Sequence, residues 1–238
     1  MKAIILAGGK GRRLEPYTTI IPKPLMPIGD KPILEIILCQ LREHGIRDVT
    51  IAVGHLAELI MAFFGDGSRF GLSIAYSREE RPLGTAGCLG LIKDDLTEPF
   101  LMMNGDVLTT LPFSELMDFH QKSGAIATVA LNKRDYFVDF GIVDTNGNGD
   151  IVGYTEKPGF EHYVSMGVYA FDPRVLAYIT PHEYIDFPDL IKALLAAGET
   201  VKAYKYGGYW LDIGRVDDYK KANNEIAGLY GTLGVGGE

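Results

Sequence analysis

The chain is poor in the residues from which nucleophilic and metallic centres are most often built. It has two cysteines, Cys39 and Cys88, which make no metal-ligand spacing, and this usage favours a reducing cytoplasm. Its five histidines are scattered, so a histidine metal site or a serine–histidine–aspartate triad has little support. Long apolar runs are missing too. None approaches the roughly 20 residues of a membrane span, and "KAIILA" behind Met1 is too short for a signal peptide's apolar region. No P-loop pattern, G-x-x-x-x-G-K-[ST], occurs. Positive charge is in the minority. A formal net charge of -8 argues against nucleic acid or an acidic membrane surface as partner, since either calls for a broad basic face.

What positive charge there is gathers at one point. Within the first 24 residues Lys2, Lys10, Arg12, Arg13 and Lys23 face only Glu15, a local excess of +4 in an acidic chain. The stretch "ILAGGKGRRLEPYT" interleaves these cations with glycines directly behind an apolar run. A small, strongly anionic ligand fits that pattern. Gly9 and Gly11 begin a dinucleotide fingerprint, but Leu14 stands where its last glycine belongs. Pro16, Pro22, Pro24 and Pro27 forbid an immediate regular helix, so a long irregular loop is expected. Glycines let backbone N–H groups approach phosphate oxygens. Arg12, Arg13 and Lys23 supply charge-assisted bonds to the same oxygens. The plainer reading is a tight turn with solvated cations.

At 238 residues, 47% hydrophobic and 23% charged, the chain is long enough for one α/β domain with a full core, or one domain with a small appendage. "KAIILA", "VTIAVG", "LSIAYS", "PFLMMNGD" and "AIATVALN" read as strands. "PILEIILCQLREHG", residues 56–64, "TAGCLGLIKDDL" and "PFSELMDFHQKSG" read as helices between them. Pro32 suits a first helical turn and Gly45 a C-terminal cap. This alternation predicts an α/β, Rossmann-like fold, with a mostly parallel central sheet and helices on both faces. After about residue 135 the pattern changes. "FGIVDTNGNGDIVGYTEKP" reads as a hairpin and "YVSMGVYAF" as a strand. "FPDLIKALLAAG" reads as a helix, "TVKAYKY" as a strand and "VDDYKKANNEIAGLY" as a closing helix. The tail "GTLGVGGE" is expected to fray.

Two carboxylates stand out. Asp106 follows an apolar run at the carboxyl end of a strand, where ligands of open α/β sheets gather, although an aspartate there also suits a turn. Asp212 sits among bulky apolar residues in "YWLDIG" and needs a partner or a metal to offset its desolvation; a cap or a salt bridge would serve as well. Taken alone, Glu156-Lys157-Pro158 reads as a solvated charge pair before a proline turn, and Thr85 as a helix cap.

The stretch "LAGGKGRRLEPYTTIIPKPLMPIGDKPILE" resembles the N-terminal signature of the sugar-1-phosphate nucleotidylyltransferases, roughly G-G-x-G-[TS]-R-L-x-P-x-T followed by P-K-P and G-x-x-P. Arg12 stands where that family usually has Thr or Ser. Further motifs follow in order along most of the chain: "RPLGTAGCLG", "NGDVLT", "FGIVD", "TEKP", "SMGVY" and "YWLDIGRVDDY". The resemblance implies one nucleotidylyltransferase domain over 1–238, with a nucleotide-binding part to about residue 135 and a hairpin-containing sugar-binding part over about 136–230. It implies transfer of a nucleotidyl group from a nucleoside triphosphate to a sugar-1-phosphate, giving the nucleotide sugar and pyrophosphate. No covalent enzyme intermediate is needed, so the tasks are alignment and charge neutralisation. It implies Mg²⁺ between Asp106 and Asp212, and Arg13 and Lys23 acting on the phosphates. Leu6, Ala7, Gly8, Gly9, Gly11, Arg12, Gly84 and Thr85 would meet the nucleotide. Gly141, Glu156, Lys157 and Gly167 would meet the sugar phosphate. In place of the family's common N-A-G the chain has Ser165-Met166-Gly167, which leaves the sugar open.

The "PLGTAG" form is similar to that of the purine-using members, above all the mannose-1-phosphate guanylyltransferases, so GTP is the expected nucleotide. UTP, CTP or dTTP, a non-sugar phosphate acceptor, and a catalytically silent nucleotide-sugar sensor stand as alternatives. Conservation of the charged set Arg13, Lys23, Asp106 and Asp212 with the family pattern argues against the sensor. Self-association into a homo-oligomer is left open.

Overall fold

The computed structural model describes residues 1–235. In chain order it contains β1 (Lys2–Ala7), β2 (Pro27–Ile28), β3 (Lys31–Pro32), α1 (Ile33–Glu43), β4 (Asp48–Val53), α2 (Ala57–Phe64) and β5 (Ser73–Arg78). There follow α3 (Gly84–Gly87), β6 (Phe100–Asn104), β7 (Val107–Thr109), α4 (Phe113–Ser123), β8 (Ala127–Phe137), β9 (Ile142–Thr145), β10 (Ile151–Thr155) and β11 (Gly159–Phe171). The chain closes with α5 (Phe187–Ala196), β12 (Val201–Tyr206), β13 (Trp210–Asp212) and α6 (Val216–Glu225).

Seven strands form the central sheet in the order β12-β8-β11-β6-β1-β4-β5. The pairs β1–β4, β1–β6, β4–β5 and β12–β8 are parallel. β11 alone is antiparallel, to β6 on one side and β8 on the other. β1, β4 and β6 are buried on both faces. Ala3, Ile5 and Ala7 of β1 join one core with α1, α2, α4 and α6, while Ile4 joins a second core with α5 and the segment behind α3. Met103 and Leu101 of β6 face the first core, Met102 and Phe100 the second. Period-two alternation between two apolar environments explains why these strands read as unbroken apolar runs. The α/β class and the helices on both faces are thus as the sequence indicated.

Three local expectations change. "TAGCLGLIKDDL" is not one helix but the single turn α3 followed by 3₁₀ turns. Its glycines back directly onto the segment before α5: a Cβ at Gly87 would meet the Glu183 carbonyl oxygen at 2.8 Å. Pro32 lies just before α1 as its N-cap rather than inside the first turn. The tail does not fray where it is described, since Leu233 and Val235 are buried in the first core. Residues 236–238 lie outside the described residues. Among the described residues no helix is long and apolar enough to cross a membrane.

Candidate active site

The glycine loop follows β1 at the carboxyl edge of the sheet. Gly11 takes a left-handed conformation, φ +61°, and its carbonyl accepts from the Leu14 N–H at 2.8 Å and from the Thr18 hydroxyl at 2.9 Å. A Cβ there would meet Thr18 Cγ2 at 2.9 Å and Lys23 Cβ at 3.3 Å, so the bare glycine lays the loop against Lys23. Arg12–Leu14 then form one 3₁₀ turn. Leu14 is buried and anchors it, which leaves Arg12 and Arg13 exposed at the mouth of a cleft.

Asp106 reaches the same cleft because Gly105 permits a close backbone approach. Its N–H donates to the Leu6 carbonyl at 2.8 Å, and a Cβ on it would meet that oxygen at 2.6 Å. Asp212 arrives from the far end of the chain on β13, which pairs antiparallel with β7 and sets Asp212 opposite Val107. The Ile213 N–H donates to the Asp106 carbonyl at 3.0 Å. Two carboxylates therefore stand on adjacent backbones. Lys23 Nζ pairs with Asp106 Oδ2. Asp106 Oδ1 and Asp212 Oδ1 are buried with no hydrogen-bond partner among the described residues. Burial, and then the charge of Asp106, push the Asp212 carboxyl above the usual carboxylate range; Lys23 and Arg13 oppose that shift. Gly214 makes room for Arg13, whose guanidinium nitrogen would lie 3.3 Å from a Cβ at that position.

The cleft has a volume of about 380 Å³. Leu6, Ala7, Gly8, Gly9, Gly11, Arg12, Arg13, Lys23, Thr85, Asp106 and Asp212 line it, all of them residues singled out in the sequence. Pro24, Asn104, Gly105 and Gly214 line it too and were not named as site residues, although Pro24 and Gly105 adjoin Lys23 and Asp106, which were. Gly84 is not among the lining. It is held at φ +80° with the Ile185 carbonyl 2.5 Å from where a Cβ would stand, which makes it a packing residue. Thr85 is tied down as well as exposed to the cleft. Its N–H and hydroxyl both donate to Asp186 Oδ1, at 2.8 and 3.0 Å, and its hydroxyl accepts from the Phe187 N–H at 2.9 Å. Thr85 and Asp186 thus satisfy the free N–H groups of each other's helices, α3 and α5.

The sugar-side candidates divide. Gly167, φ +71°, sits in the register shift of β11 between Ser165 and Tyr169, and a Cβ on it would meet Asn104 Nδ2 at 2.6 Å. It therefore backs directly onto a residue of the cleft. Gly141, Glu156 and Lys157 belong to the exposed ribbon around β9 and β10 and do not line the cleft. They cluster with each other: Tyr154 donates to Glu156 Oε2 at 3.0 Å, and that oxygen would lie 3.1 Å from a Cβ at Gly141.

Chemically the cleft offers backbone and cations to phosphate oxygens, and two carboxylate oxygens with no other partner. No group of three or more histidine, cysteine or acidic side chains that could hold a metal occurs among the described residues. A cation here would take two protein oxygens and complete its shell from ligand and water, as Mg²⁺ does beside phosphates.

The family model described as nucleotidyl transferase matches residues 2–228, and the chain belongs to that family. It is 38% identical over 241 residues to a UTP–glucose-1-phosphate uridylyltransferase of Synechocystis sp., covering 93% of this chain and 62% of the relative. It is 35% identical over 226 residues to the mannose-1-phosphate guanylyltransferase catalytic subunit beta of Danio rerio, covering 92% of this chain and 62% of the relative. The chain thus spans about three fifths of the length of these curated relatives. Among solved structures it is similar to a protein assigned as a glucose-1-phosphate thymidylyltransferase from Bacillus anthracis, with a TM-score of 0.77, 27% identity and 94% of each chain covered. The motif resemblance is borne out at the level of the family, while the relatives are named for three different nucleotides.

Proposed function

We propose that this chain is a sugar-1-phosphate nucleotidylyltransferase. A phosphate oxygen of the sugar-1-phosphate attacks the α-phosphorus of a nucleoside triphosphate. The bond from that phosphorus to the β-phosphate bridging oxygen breaks, and pyrophosphate leaves with the electron pair. The observation that carries the reading is the Asp106–Asp212 pair, each with a buried, unpartnered oxygen, set between Lys23 and Arg13 in a glycine-lined cleft. Such an arrangement suits two polyanions that must be held together while charge moves onto a leaving group.

In this proposal the backbone N–H groups of the Gly8–Gly11 loop and the side chain of Arg12 receive the triphosphate. Arg13 stabilises the departing pyrophosphate. Lys23, buried beside Asp106, bridges phosphates from the floor of the cleft. Asp106 and Asp212 would hold Mg²⁺, which when bound offsets phosphate charge during transfer. Thr85 contacts the nucleotide. Gly167 lets the sugar approach the backbone of β11, and Glu156 and Lys157 take the sugar hydroxyls and phosphate when the ribbon meets its ligand. GTP is the proposed nucleotide, with mannose-1-phosphate or a related manno-configured sugar phosphate as acceptor.

Release of pyrophosphate, measured with five nucleoside triphosphates against a panel of sugar-1-phosphates, tests the reading. Turnover with at least one combination is expected. Tight binding of nucleotide sugars without turnover in any combination would instead make the chain a sensor.

A further inference from the structure

β8 changes its neighbours partway along. From Ala127 to Asn132 it pairs with β12 on one side and β11 on the other; beyond Asn132 it pairs with β11 alone. The Asn132 amide marks the end of β12, donating to the carbonyls of Tyr206 and Gly208 at 3.0 and 3.4 Å. The outer edge of residues 133–137 is then open. At its far end the Val138 N–H donates to the Pro158 carbonyl at 3.1 Å, toward β11. Strand alternation therefore turns the N–H and C=O groups of Lys133, Asp135 and Phe137 outward. Among the described residues no backbone group meets them there.

This edge borders aromatic surface. Tyr136, Phe137, Phe140, Tyr154, Phe160 and Tyr163, from the end of β8, the ribbon and the start of β11, are between 43% and 77% exposed. An aromatic side chain covers roughly 150–250 Å², so together they leave on the order of 700 Å² in water. That is comparable with the roughly 800 Å² each partner contributes to a stable interface. An open strand edge with such a border is a template for another strand.

We propose that this edge pairs with the same edge of a second copy of the chain, antiparallel about a two-fold axis at Tyr136, giving a local sheet in the order β11-β8-β8-β11. The charges select both the partner and the register. The edge runs from basic to acidic, Lys133-Arg134-Asp135-Tyr136-Phe137-Val138-Asp139. Antiparallel self-pairing lays each end on its complement. Centred on Tyr136, Lys133 opposes Asp139 of the partner subunit, and the two tyrosines meet. Centring on Arg134, Asp135 or Phe137 instead opposes two arginines, two copies of Asp135, or Asp135 and Asp139. Like charges directly opposite are destabilising, so these neighbouring registers are disfavoured. Asp139 has no ion pair among the described residues and is free to take the partner's lysine. Arg134 lies with its guanidinium 4.7 Å from the Trp210 ring centroid, clear of the edge. The pairing does not depend on which reaction the cleft catalyses.

Sedimentation equilibrium of the full chain from about 0.1 to 100 μM reads the assembly, since interfaces of this size reach micromolar affinity or better. A monomer–dimer equilibrium with Kd of about 10 μM or below is expected. Asp135→Pro removes an outward N–H that β11 does not use, and should weaken the dimer about tenfold or more. Lys133→Glu and Asp139→Lys should each weaken it, and the double variant should restore it. The register is read by cysteines under mild oxidant. Opposed residues that exchange no hydrogen bonds have Cα atoms about 4.5 Å apart, within the reach of a disulfide. Tyr136→Cys should therefore link two copies. Asp135→Cys and Phe137→Cys should not, each lying beyond the limit of about 7 Å from its own copy. The wild-type chain, with Cys39 and Cys88, is the blank. Far-UV circular dichroism separates a lost dimer from a lost fold, and should Asp135→Pro not fold, the charge swap and the cysteines decide. A chain that stays monomeric throughout, a dimer indifferent to the folded edge variants, or links at 135 or 137 rather than 136 overturns the proposal.

Discussion

Asp106 and Asp212 are brought side by side where β13 pairs with β7: Asp212 stands opposite Val107, the Ile213 N–H donates to the Asp106 carbonyl, and one oxygen of each carboxylate is buried and, among the described residues, unpartnered. A metal-free protein keeps this pair at a disadvantage. Asp212 has a folded pKa above its unfolded value, so the group's stabilising contribution is present below the unfolded pKa, near 3.8, and is lost as pH rises through the folded value. Above that range the Asp212 carboxylate weakens the fold, and a divalent cation beside it relieves the cost. Millimolar Mg²⁺ is therefore expected to raise Tm. Asp212→Asn should raise Tm in EDTA, lose most of the Mg²⁺-dependent gain, and lower kcat by about 100-fold or more. Calorimetry with and without Mg²⁺ checks this; a wild-type Tm indifferent to the ion counts against the metal pair.

The cations and the ribbon should separate in kinetics. Arg13→Ala is expected to lower kcat with little change in either KM, because its charge matters most as pyrophosphate departs. Lys23→Arg should also impair turnover, since a planar fork does not replace a compact ammonium packed beside Asp106. Glu156→Ala should raise KM for the sugar phosphate several-fold and spare the nucleotide. Steady-state kinetics with each substrate varied gives the answer, and equal effects on both substrates would remove Glu156 from the sugar.

His120 is buried, with its Nδ1 2.9 Å from the Thr128 hydroxyl, and burial holds its pKa below 6.5. The unfolded chain then takes up the proton first. Stability is complete above the unfolded value of about 6.5 and is lost as pH falls through it toward the folded pKa. Tm should drop between pH 7 and 5.5, and His120→Gln should flatten part of that slope; His44, shifted the same way by burial, keeps the remainder. Parallel Tm curves for wild type and variant would exclude His120 as a source.

Gly105→Ala should be severe for its size. The added carbon meets a backbone oxygen, Leu6 O, at 2.6 Å, and neither β1 nor β6 can yield without parting. A loss of about 2 kcal/mol or more is expected, in the range of overpacking, together with a fall in kcat as Asp106 moves. Gly147→Ala, with open space around it, serves as the control and should leave Tm within a degree or two.

The inner strands were legible because the middle of the sheet is buried on both faces, which turns β1, β4 and β6 into apolar runs stopped by glycine or polar residues. The cleft lining was legible where charge or glycine broke that pattern, as at Gly11, Arg13 and Asp106. Strand order was not. Nothing local to "YVSMGVYAF" says that β11 runs antiparallel between β6 and β8, since pairing is decided by the long connections that precede it. α3 was overread because helical spacing in "TAGCLGLIKDDL" conceals two glycines, Gly87 and Gly90, that serve packing against residues 181–185. Leu233 and Val235 were lost in a glycine-rich tail, where two apolar residues carry no period. Asn104 and Gly214 gave no signal of their own: the one matters through its contact with Gly167, the other through the space it leaves for Arg13.

The mutual capping of Thr85 and Asp186 spans 101 positions of the chain, and the Tyr219 hydroxyl reaches the Pro27 carbonyl across 192. Contacts this remote form slowly, because much chain must be ordered before they close. During synthesis the glycine loop emerges well before its carboxylate partner on β13 and the Asp186 lock on α3. A growing chain carries the cations without the cleft. Nucleotide is therefore expected to find its full site only once β13 has been made, and its binding to act as a ratchet on a late stage of folding rather than a template for the first.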